Sequence, residues 1–176
     1  MSVVTGNVYL SLNCPGDKKM HLNISQRKAT IHDLPEILHL LFDDELGATR
    51  EKIGQTVTPN YLHAFEKINH DSNQYLMVVL LEKQIIGTCH LTLMPSLTYQ
   101  GSTRMQIEAV RVAKSFRGQK IGEWMMGQAF NFAKEHQVKM VQLTTNKQRP
   151  EAKRFYERLG FKSSHEGMKY FLGTIE

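Results

Sequence analysis

The alternation of apolar and polar residues divides the chain into short strands and amphipathic helices. Strands are indicated where apolar residues alternate with polar ones or run together for about four to eight positions, and helices where they recur every three or four positions. This pattern predicts strands over 22–29, 75–81, 85–93, 105–112 and 140–144, with a closing strand pair at Phe161 and 169–172. It predicts helices after Thr30, after Thr58, after Arg117 and over 150–159.

The order of these elements, β-α-α-β-β-β-α-β-α-β, predicts the fold class. Strands interspersed with helices favour a single α/β (α+β) domain, in which helices cover the faces of a mixed sheet. The runs over 75–81 and 85–93 are separated by a short polar break, which is typical of an antiparallel hairpin. Thr30 is expected to cap the first helix, with Asp33 at the third helical position.

The first 21 residues differ from the rest of the chain. Residues 15–19 read Pro-Gly-Asp-Lys-Lys, which is typical of a turn or a solvated loop. We therefore interpret 1–21 as an N-terminal extension that the fold does not need, and 22–176 as one domain. The alternative is that Val8, Tyr9 and Leu10 add a strand to the edge of the sheet.

Composition narrows the class of protein. The chain has 176 residues, of which 41% are apolar and 22% charged, as expected for one globular domain. No apolar run approaches the roughly 20 residues of a membrane span, and the N-terminus lacks the pattern of a signal peptide. Two widely separated cysteines, Cys14 and Cys89, fit a reducing compartment. We therefore expect a cytoplasmic protein that does not act at a membrane.

Charge and histidine spacing exclude two further kinds of partner. The net charge of +5 is spread among acidic residues, and no block of Lys and Arg is long enough for a nucleic-acid-binding arm. The eight histidines show no pairing at metal-ligand spacing. We expect neither nucleic acid nor a metal ion, and the positive excess near 111–120 instead suits a polyanionic small molecule.

Candidate chemistry is concentrated in residues 110–122, which read V-R-V-A-K-S-F-R-G-Q-K-I-G. An extended segment, a bend and a helix start form a phosphate cradle, because the first amides of a helix lack intrahelical acceptors and the helix dipole is positive there. Arg117 and Lys120 add positive charge, and Gly118 and Gly122 would let a diphosphate approach the backbone.

Three sequence signals together resemble one family. They are V-R-V at 110–112, R-G-Q-K-I-G at 117–122 and A-x-x-F-Y-E-R-L-G-F at 152–161. In this order and spacing they resemble the GCN5-related N-acetyltransferases, which use acetyl-coenzyme A (acetyl-CoA). The resemblance is specific over 105–161 and identifies 22–176 as an N-acetyltransferase domain. One departure is Lys120, which stands where the family usually has Gly.

The resemblance implies where the cofactor would bind. The main-chain groups of Val110 and Val112 would pair with the pantetheine arm as a further strand would, in a slot opened by a splay between the strands over 105–112 and 140–144. The implied cofactor-binding residues are Val110, Arg111, Val112, Arg117, Gly118, Gln119, Lys120, Ile121 and Gly122, with Asn146 and Arg149 as further candidates in the family's asparagine region.

The resemblance also implies a catalytic acid. Tyr156 follows the family's tyrosine, whose hydroxyl lies near the coenzyme A sulfur. A phenol can protonate a leaving thiolate while it stays neutral at working pH. The alternative interpretation of Tyr156 is a core tyrosine beside Phe155 on the buried side of a short helix.

Glu108 is the candidate base. It lies in an otherwise apolar strand and shares strand parity with Val110 and Val112. A carboxylate in apolar surroundings tends to hold a proton more tightly, which suits a base that acts on an ammonium directly or through water. The alternative is that Glu108 pairs with Arg104, Arg111 or a backbone donor and only shapes the site.

The sequence therefore predicts an enzyme that transfers acetyl from acetyl-CoA to a primary amine of a small molecule or peptide. The transfer would be direct, without an intermediate on Cys89. The acidic cluster at 43–45 would attract a cationic amine or, alternatively, be a solvated helix end. The competing hypothesis is a sensor or structural module that binds acyl-CoA with little catalysis. Exposed edge strands are compatible with a homodimer.

Overall fold

A computed structural model describes residues 8–12, 20–43 and 57–173 of the chain. The strands are β1 (Val8–Leu12), β2 (Met20–Lys28), β3 (Gln74–Leu81), β4 (Gln84–Met94), β5 (Arg104–Val112) and β6 (Met140–Leu143). The helices are α1 (Leu34–Phe42), α2 (Pro59–His70), α4 (Ile121–Glu135) and α5 (Pro150–Arg158), and the segment α3 (Thr98–Gly101) is a single turn in which Tyr99 and Gln100 have left-handed φ values of 52° and 59°.

The strands form one six-stranded mixed sheet, in the order β1-β2-β3-β4-β5-β6. All neighbours are antiparallel except β5 and β6, which are parallel because α4 forms the crossover between them. The predicted hairpin is confirmed as β3 and β4, which pair from Gln74↔Thr92 to Leu81↔Gln84. The mixed sheet with helices on its faces confirms the predicted fold class.

The sheet separates two hydrophobic cores. On one face, α4 presents buried residues at four-residue spacing, which is why the sequence forms an amphipathic helix there. These residues are Ile121, Met125, Ala129 and Ala133, and they pack with Met77, Cys89, Leu91, Met105 and Ile107. On the other face, α1 and α2 cover Leu76, Val78 and Leu80 with Leu34, Ile37, Leu38 and Phe65.

The start of the first helical segment is held by a buried carboxylate. Thr30 and Asp33 form the capping box that the sequence predicts. The guanidinium of Arg27 also binds Asp33 through two contacts, of 2.6 Å and 2.8 Å. This hydrogen bonding lowers the pKa of Asp33 to about 2, against the opposing effect of burial.

The N-terminal segment contains the strand that the sequence analysis raised as an alternative. Val8–Leu12 forms β1, which pairs antiparallel with β2 from Val8↔Ile24 to Leu12↔Met20. β2 begins at Met20, two residues before the predicted domain boundary. Residues 1–7 and 13–19 lie outside the described part of the chain.

The predicted closing strand pair is wrong. Residues 161–173 form no helix or strand. Phe161 packs against the α4 face of the sheet, whereas Met168, Tyr170 and Leu172 are 95%, 88% and 96% exposed. The residue types at 169–172 favour a strand, but a strand also needs a hydrogen-bonded neighbour. None of the described strands pairs with them.

No helix within the described residues is long and apolar enough to cross a membrane.

Candidate active site

The main feature of the site is an opening between β5 and β6. The two strands pair over four positions, from Arg104↔Met140 to Ile107↔Leu143. β6 ends at Leu143, but β5 continues to Val112. Residues 108–112, here called the open stretch, therefore present main-chain groups toward a space that no described β6 residue fills. The splay implied by the resemblance is not seen within β6, which stays paired with β5 along its whole length, and the opening arises because β6 ends before β5.

A β-bulge interrupts β5 at the start of the open stretch. The register with β4 passes from His90↔Glu108 to Thr88↔Arg111, so that two residues of β5 lie opposite Cys89 alone. Ala109 takes a positive φ of 51° at this point. A bulge adds one residue to a strand and so reverses the alternation of the side chains beyond it.

The bulge corrects the predicted strand parity. Residues that lie opposite each other in a sheet share a face, so Glu108 and Arg111 face the α1/α2 side with His90 and Thr88. Val110 and Val112 instead pack against the α4 core. Glu108 is therefore separated from the two valines, because the extra residue lies between them in the strand.

Glu108 is also exposed, not held in the apolar surroundings expected from its strand. Its cross-strand neighbour is His90. Burial lowers the pKa of His90, and the charge of Glu108 acts in the opposite direction. His90 Nε2 is buried without a hydrogen-bond partner in the described part of the chain. The pair thus joins an accessible carboxylate to an imidazole that favours its neutral form.

The predicted helix start is present at the end of the open stretch. α4 begins at Ile121 after Lys120, which takes a left-handed conformation with φ 61° and ψ 8°. The family's usual glycine at this position is explained by that conformation, which glycine adopts without steric cost. The first hydrogen bond of the helix runs from Trp124 N to Lys120 O, at 3.0 Å. The amides of residues 118–123 donate to no described backbone carbonyl.

The two glycines of this turn have different roles. Gly118 has φ 77°, and a Cβ placed on it would meet no atom within 4 Å. A Cβ on Gly122 would lie 3.3 Å from Phe155 Cζ. We predicted that Gly122 leaves room for a diphosphate, but its missing side chain leaves room for Phe155 of α5. Ile121 is likewise an anchor in the core, with 2% of its surface exposed.

Arginine side chains contact the open stretch along its main chain. Arg111 Nη1 donates to the carbonyl oxygen of Val110 at 2.8 Å, and Arg117 Nε donates to that of Val112 at 2.9 Å. A carbonyl oxygen has two lone pairs, so each can accept a further bond. The two carbonyls that the sequence analysis assigned to pantetheine are thus already in contact with cationic donors.

The loop between β5 and α4 is also tied to the end of α1. Arg117 Nη2 donates to the carbonyl oxygen of Asp43 at 3.2 Å, and Lys114 Nζ lies 2.8 Å from Asp43 Oδ1. Asp43, which we considered as an attractor for an amine, is paired with Lys114, and residues 44–45 lie outside the described part. Gln119 Nε2 donates to Ser115 O at 3.0 Å and keeps the turn compact.

Tyr156 lies in an aromatic cluster beside the site. Its ring contacts Phe155 and Phe161 edge-on, with centroid distances of 5.2 Å and 5.8 Å. Burial raises its pKa, while the positive charges of Arg111 and Arg149 oppose that shift. The hydroxyl makes no hydrogen bond with a described residue, so a neutral donor is available near two arginines.

The two further cofactor candidates lie in the loop that leads to α5. Asn146 Oδ1 accepts a hydrogen bond from Gln148 N at 2.9 Å, so its side chain stabilises its own turn. Arg149 precedes the first residue of α5 and is half-buried. Its positive charge lowers the pKa of Tyr156, so the structure brings Arg149 into the electrostatic surroundings of the tyrosine.

Cys89 is unsuited to nucleophilic catalysis. Its side chain is fully buried, and burial raises its pKa to about 12. A thiol with such a pKa carries almost no thiolate at neutral pH. Within the described residues, no group of three His, Cys, Asp or Glu side chains could hold a metal ion.

The sequence analysis considered Arg104 only as a partner of Glu108 and did not group the polar residues of the α1/α2 face into one site. Arg104 and Gln106 share the face of Glu108 through their partners Met94 and Thr92. Gln142 joins them from β6, because its Nε2 donates to Gln106 Oε1 at 2.9 Å. The available signal was the alternation Arg-x-Gln-x-Glu at 104–108, which places three polar side chains on one face of a strand.

Comparison with known proteins identifies the family. Residues 35–161 match the model of the acetyltransferase (GNAT) family. An aminoalkylphosphonate N-acetyltransferase of Salmonella typhimurium is 30% identical over 95 residues, which are 54% of this chain and 61% of that protein. The match therefore spans less than two thirds of that relative.

Solved structures show the same fold. A Bacillus halodurans protein described as a transcriptional regulator is 45% identical, with a TM-score of 0.83 over 85% of this chain and 100% of that one. Glucosamine-6-phosphate N-acetyltransferase of Arabidopsis thaliana has a TM-score of 0.68 at 21% identity, over 86% of this chain and 99% of that one. By the family match and the fold, the chain belongs to the GNAT family of acetyltransferases.

Proposed function

We propose that the protein transfers the acetyl group of acetyl-CoA directly to a primary amine. The observation that carries this proposal is the open stretch of β5 next to the start of α4. β5 runs past its last pair with β6, Ile107↔Leu143, and leads within a few residues to the unpaired amides before Trp124. A strand edge followed by a helix start is complementary to a chain of amides that ends in a diphosphate.

The residues present fit acetyl-CoA. The amides between Gly118 and α4 would hold the diphosphate, with Arg117 beside them and Lys120 on the turn. The main chain of Val110 and Val112 would pair with the pantetheine arm, whose donors can share the carbonyls now bound by Arg111 and Arg117. When bound, acetyl-CoA would supply the acetyl thioester and a coenzyme A leaving group.

Side chains of the protein would carry out the proton transfers. Glu108, exposed on the α1/α2 face at the start of the open stretch, would take a proton from the ammonium, directly or through water. The free amine then forms the C–N bond as the C–S bond breaks, and the nitrogen releases its second proton to solvent to give the neutral amide. Tyr156 would give its hydroxyl proton to the leaving sulfur and regain a proton from solvent. A main-chain N–H group at the bulge would donate to the carbonyl oxygen.

Two observations support direct transfer. Cys89 is buried and protonated, so it offers no route through an acyl-enzyme. Burial keeps Tyr156 neutral, which is the state that a proton donor needs. The acceptor is proposed to be a small molecule or peptide, and both the cytoplasmic location and the homodimer stay predictions from the sequence.

A second candidate function is an acyl-CoA sensor with little catalysis. It is favoured by one observation, the description of the 45% identical Bacillus halodurans protein as a transcriptional regulator. The same site would then bind acetyl-CoA without an amine acceptor. The presence of Tyr156 and an accessible Glu108 near the open stretch favours the enzyme hypothesis, because a sensor needs neither a proton donor nor a base.

The enzyme and the sensor are distinguished by measuring the free thiol that is released from acetyl-CoA in the presence of a panel of primary amines. We expect saturable release that requires an amine, and Glu108→Gln should flatten the low-pH limb of the rate profile. Calorimetry with acetyl-CoA supplies the control. Binding without turnover for any amine would favour the sensor, and absence of binding would contradict both.

A further inference from the structure

A strip of polar side chains crosses the α1/α2 face of the sheet, from the start of the open stretch toward the first residue of β5. Opposed residues share a face, so the register places Glu108 beside His90, Gln106 beside Thr92, and Arg104 beside Met94. The hydrogen bond between Gln142 and Gln106 extends the strip onto β6. The polar strip consists of His90, Thr92, Arg104, Gln106, Glu108 and Gln142.

Opposite charges stand at two positions of β5 within this strip, Arg104 at the first residue of the strand and Glu108 at its middle. Glu108 and Arg104 are four residues apart on one strand face, which is roughly 13 Å between Cα atoms at about 3.3 Å per residue. Neither side chain forms an ion pair with a described residue. Arg104 is half-buried, and its Nε is buried without a hydrogen-bond partner in the described part. The carboxylate and the guanidinium are therefore held apart, with capacity to bind other groups.

Some of the side chains between the two charges already make hydrogen bonds with each other or with neighbouring residues. Thr92 Oγ1 donates to Gln74 Oε1 at 2.8 Å, and Gln106 Oε1 accepts from Gln142 Nε2. Gln106 Nε2 and His90 Nε2 make no hydrogen bond with a described residue. The middle of the strip thus offers hydrogen-bonding groups, and its charged groups are confined to the ends.

We propose that the acceptor is an amine that also carries an oxyanion group, a carboxylate, phosphate or phosphonate. This rests on the proposed function, because Glu108 at the start of the open stretch is what places the amine end. The oxyanion lies at Arg104, whose planar guanidinium suits bidentate binding of such groups. Gln106 lies between them. The side chain of Arg104 is only half-buried and forms no ion pair with a described residue, so its accessible Nη groups can take such a ligand.

Matched amines test the proposal. Aminoethylphosphonate and β-alanine carry the two oxyanion chemistries, and ethanolamine and propylamine carry none. Wild-type protein should show a KM lower by about tenfold or more for at least one oxyanion amine, and the phosphonate and carboxylate arms show which group is preferred. Equal KM values for all four amines would overturn the proposal.

Variants of Arg104 locate the binding group. Arg104→Gln should raise the KM of the preferred oxyanion amine about tenfold to a hundredfold, with kcat and the KM of propylamine within about twofold. Arg104→Lys should restore part of the affinity. Lys134→Gln, on the exposed side of α4, is the charge-matched control and should change nothing. An equal rise for propylamine would show that Arg104 only supports the fold.

Failure of the proposed function gives a different result. If no amine supports turnover, calorimetry of coenzyme A-loaded protein with aminoethylphosphonate and β-alanine still decides. Binding of either that is weakened by Arg104→Gln and partly restored by Arg104→Lys supports the strip as an oxyanion-amine site. Absence of binding by both, or binding that is unchanged in Arg104→Gln, overturns it. A thermal melt of each variant confirms folding.

Discussion

Arg117 Nε donates to the carbonyl oxygen of Val112 at 2.9 Å and so joins the turn before α4 to the end of β5. The same guanidinium reaches the carbonyl oxygen of Asp43 at the end of α1. One side chain therefore connects three elements around the open stretch. Its position depends on its length and its planar set of donors, which a lysine would not reproduce.

Arg117→Ala should lower acetyl-CoA affinity by about tenfold, because it removes both a positive charge and the contact that positions the turn. Isothermal calorimetry measures this. Lys114→Ala is the control, since it removes a charge from the same loop but leaves the contact with Val112 in place. Its effect should stay below about threefold. Equal losses for the two variants would mean that net charge, not the position of the turn, controls affinity.

Lys120 should respond to substitution according to backbone preference. Its φ of 61° disfavours branched side chains and favours glycine. Lys120→Val should lower the free energy of unfolding by about 1 kcal/mol, whereas Lys120→Gly should leave it unchanged or raise it. Urea denaturation gives both values. A valine as stable as glycine would show that the turn does not require the left-handed conformation.

Gly122 and Phe155 should be energetically coupled. Gly122→Ala brings a Cβ to 3.3 Å from Phe155 Cζ and should destabilise the fold by about 1 kcal/mol. In a Phe155→Leu background the same change should become neutral or stabilising, because alanine favours a helix over glycine. Gly127→Ala is the control, since a Cβ there meets nothing within 4 Å, and should stabilise α4. If Gly122→Ala stabilises the fold as Gly127→Ala does, the contact with Phe155 does not restrict the side chain at position 122.

Asp33 should make the fold sensitive to acid. Its pKa of about 2 in the folded state lies below the ordinary value near 3.9. Its contribution is therefore fully present above about pH 4 and is lost as the pH falls toward 2. Asp33→Asn should be less stable at neutral pH and should lose less free energy of unfolding over that acid range. If the free energy of unfolding falls with pH in parallel for wild type and Asp33→Asn, Asp33 is not the source of the acid sensitivity.

The fold could be predicted where side-chain periodicity decides the structure. The spacing of Ile121, Met125, Ala129 and Ala133 specifies one buried face of α4, and Thr30 with Asp33 marks the start of the first helical segment. Residues 169–172 show the limit of this reasoning. Their composition favours a strand, but composition does not show whether a neighbouring strand is available.

The site was less predictable because backbone geometry determines it. Ala109 gives no sign of the bulge, since a positive φ is usually marked by Gly or Asn. The bulge nevertheless decides that Glu108 faces α1 and α2 while Val110 faces α4. The glycine pattern was also ambiguous, because an exposed turn and a close helix contact both favour glycine. Only the structure separates Gly118 from Gly122.

The most direct test of acetyl transfer counts free thiol and N-acetylated amine in one reaction, for wild type and for Tyr156→Phe. The phenylalanine keeps the ring contacts with Phe155 and Phe161 but removes the proton donor. We expect one N-acetylated amine per thiol in the wild type. In Tyr156→Phe, kcat should fall by about a hundredfold, with the KM for acetyl-CoA within about threefold. Thiol release without acetylated amine, or a variant with kcat within about threefold of wild type, would contradict transfer with Tyr156 as the acid.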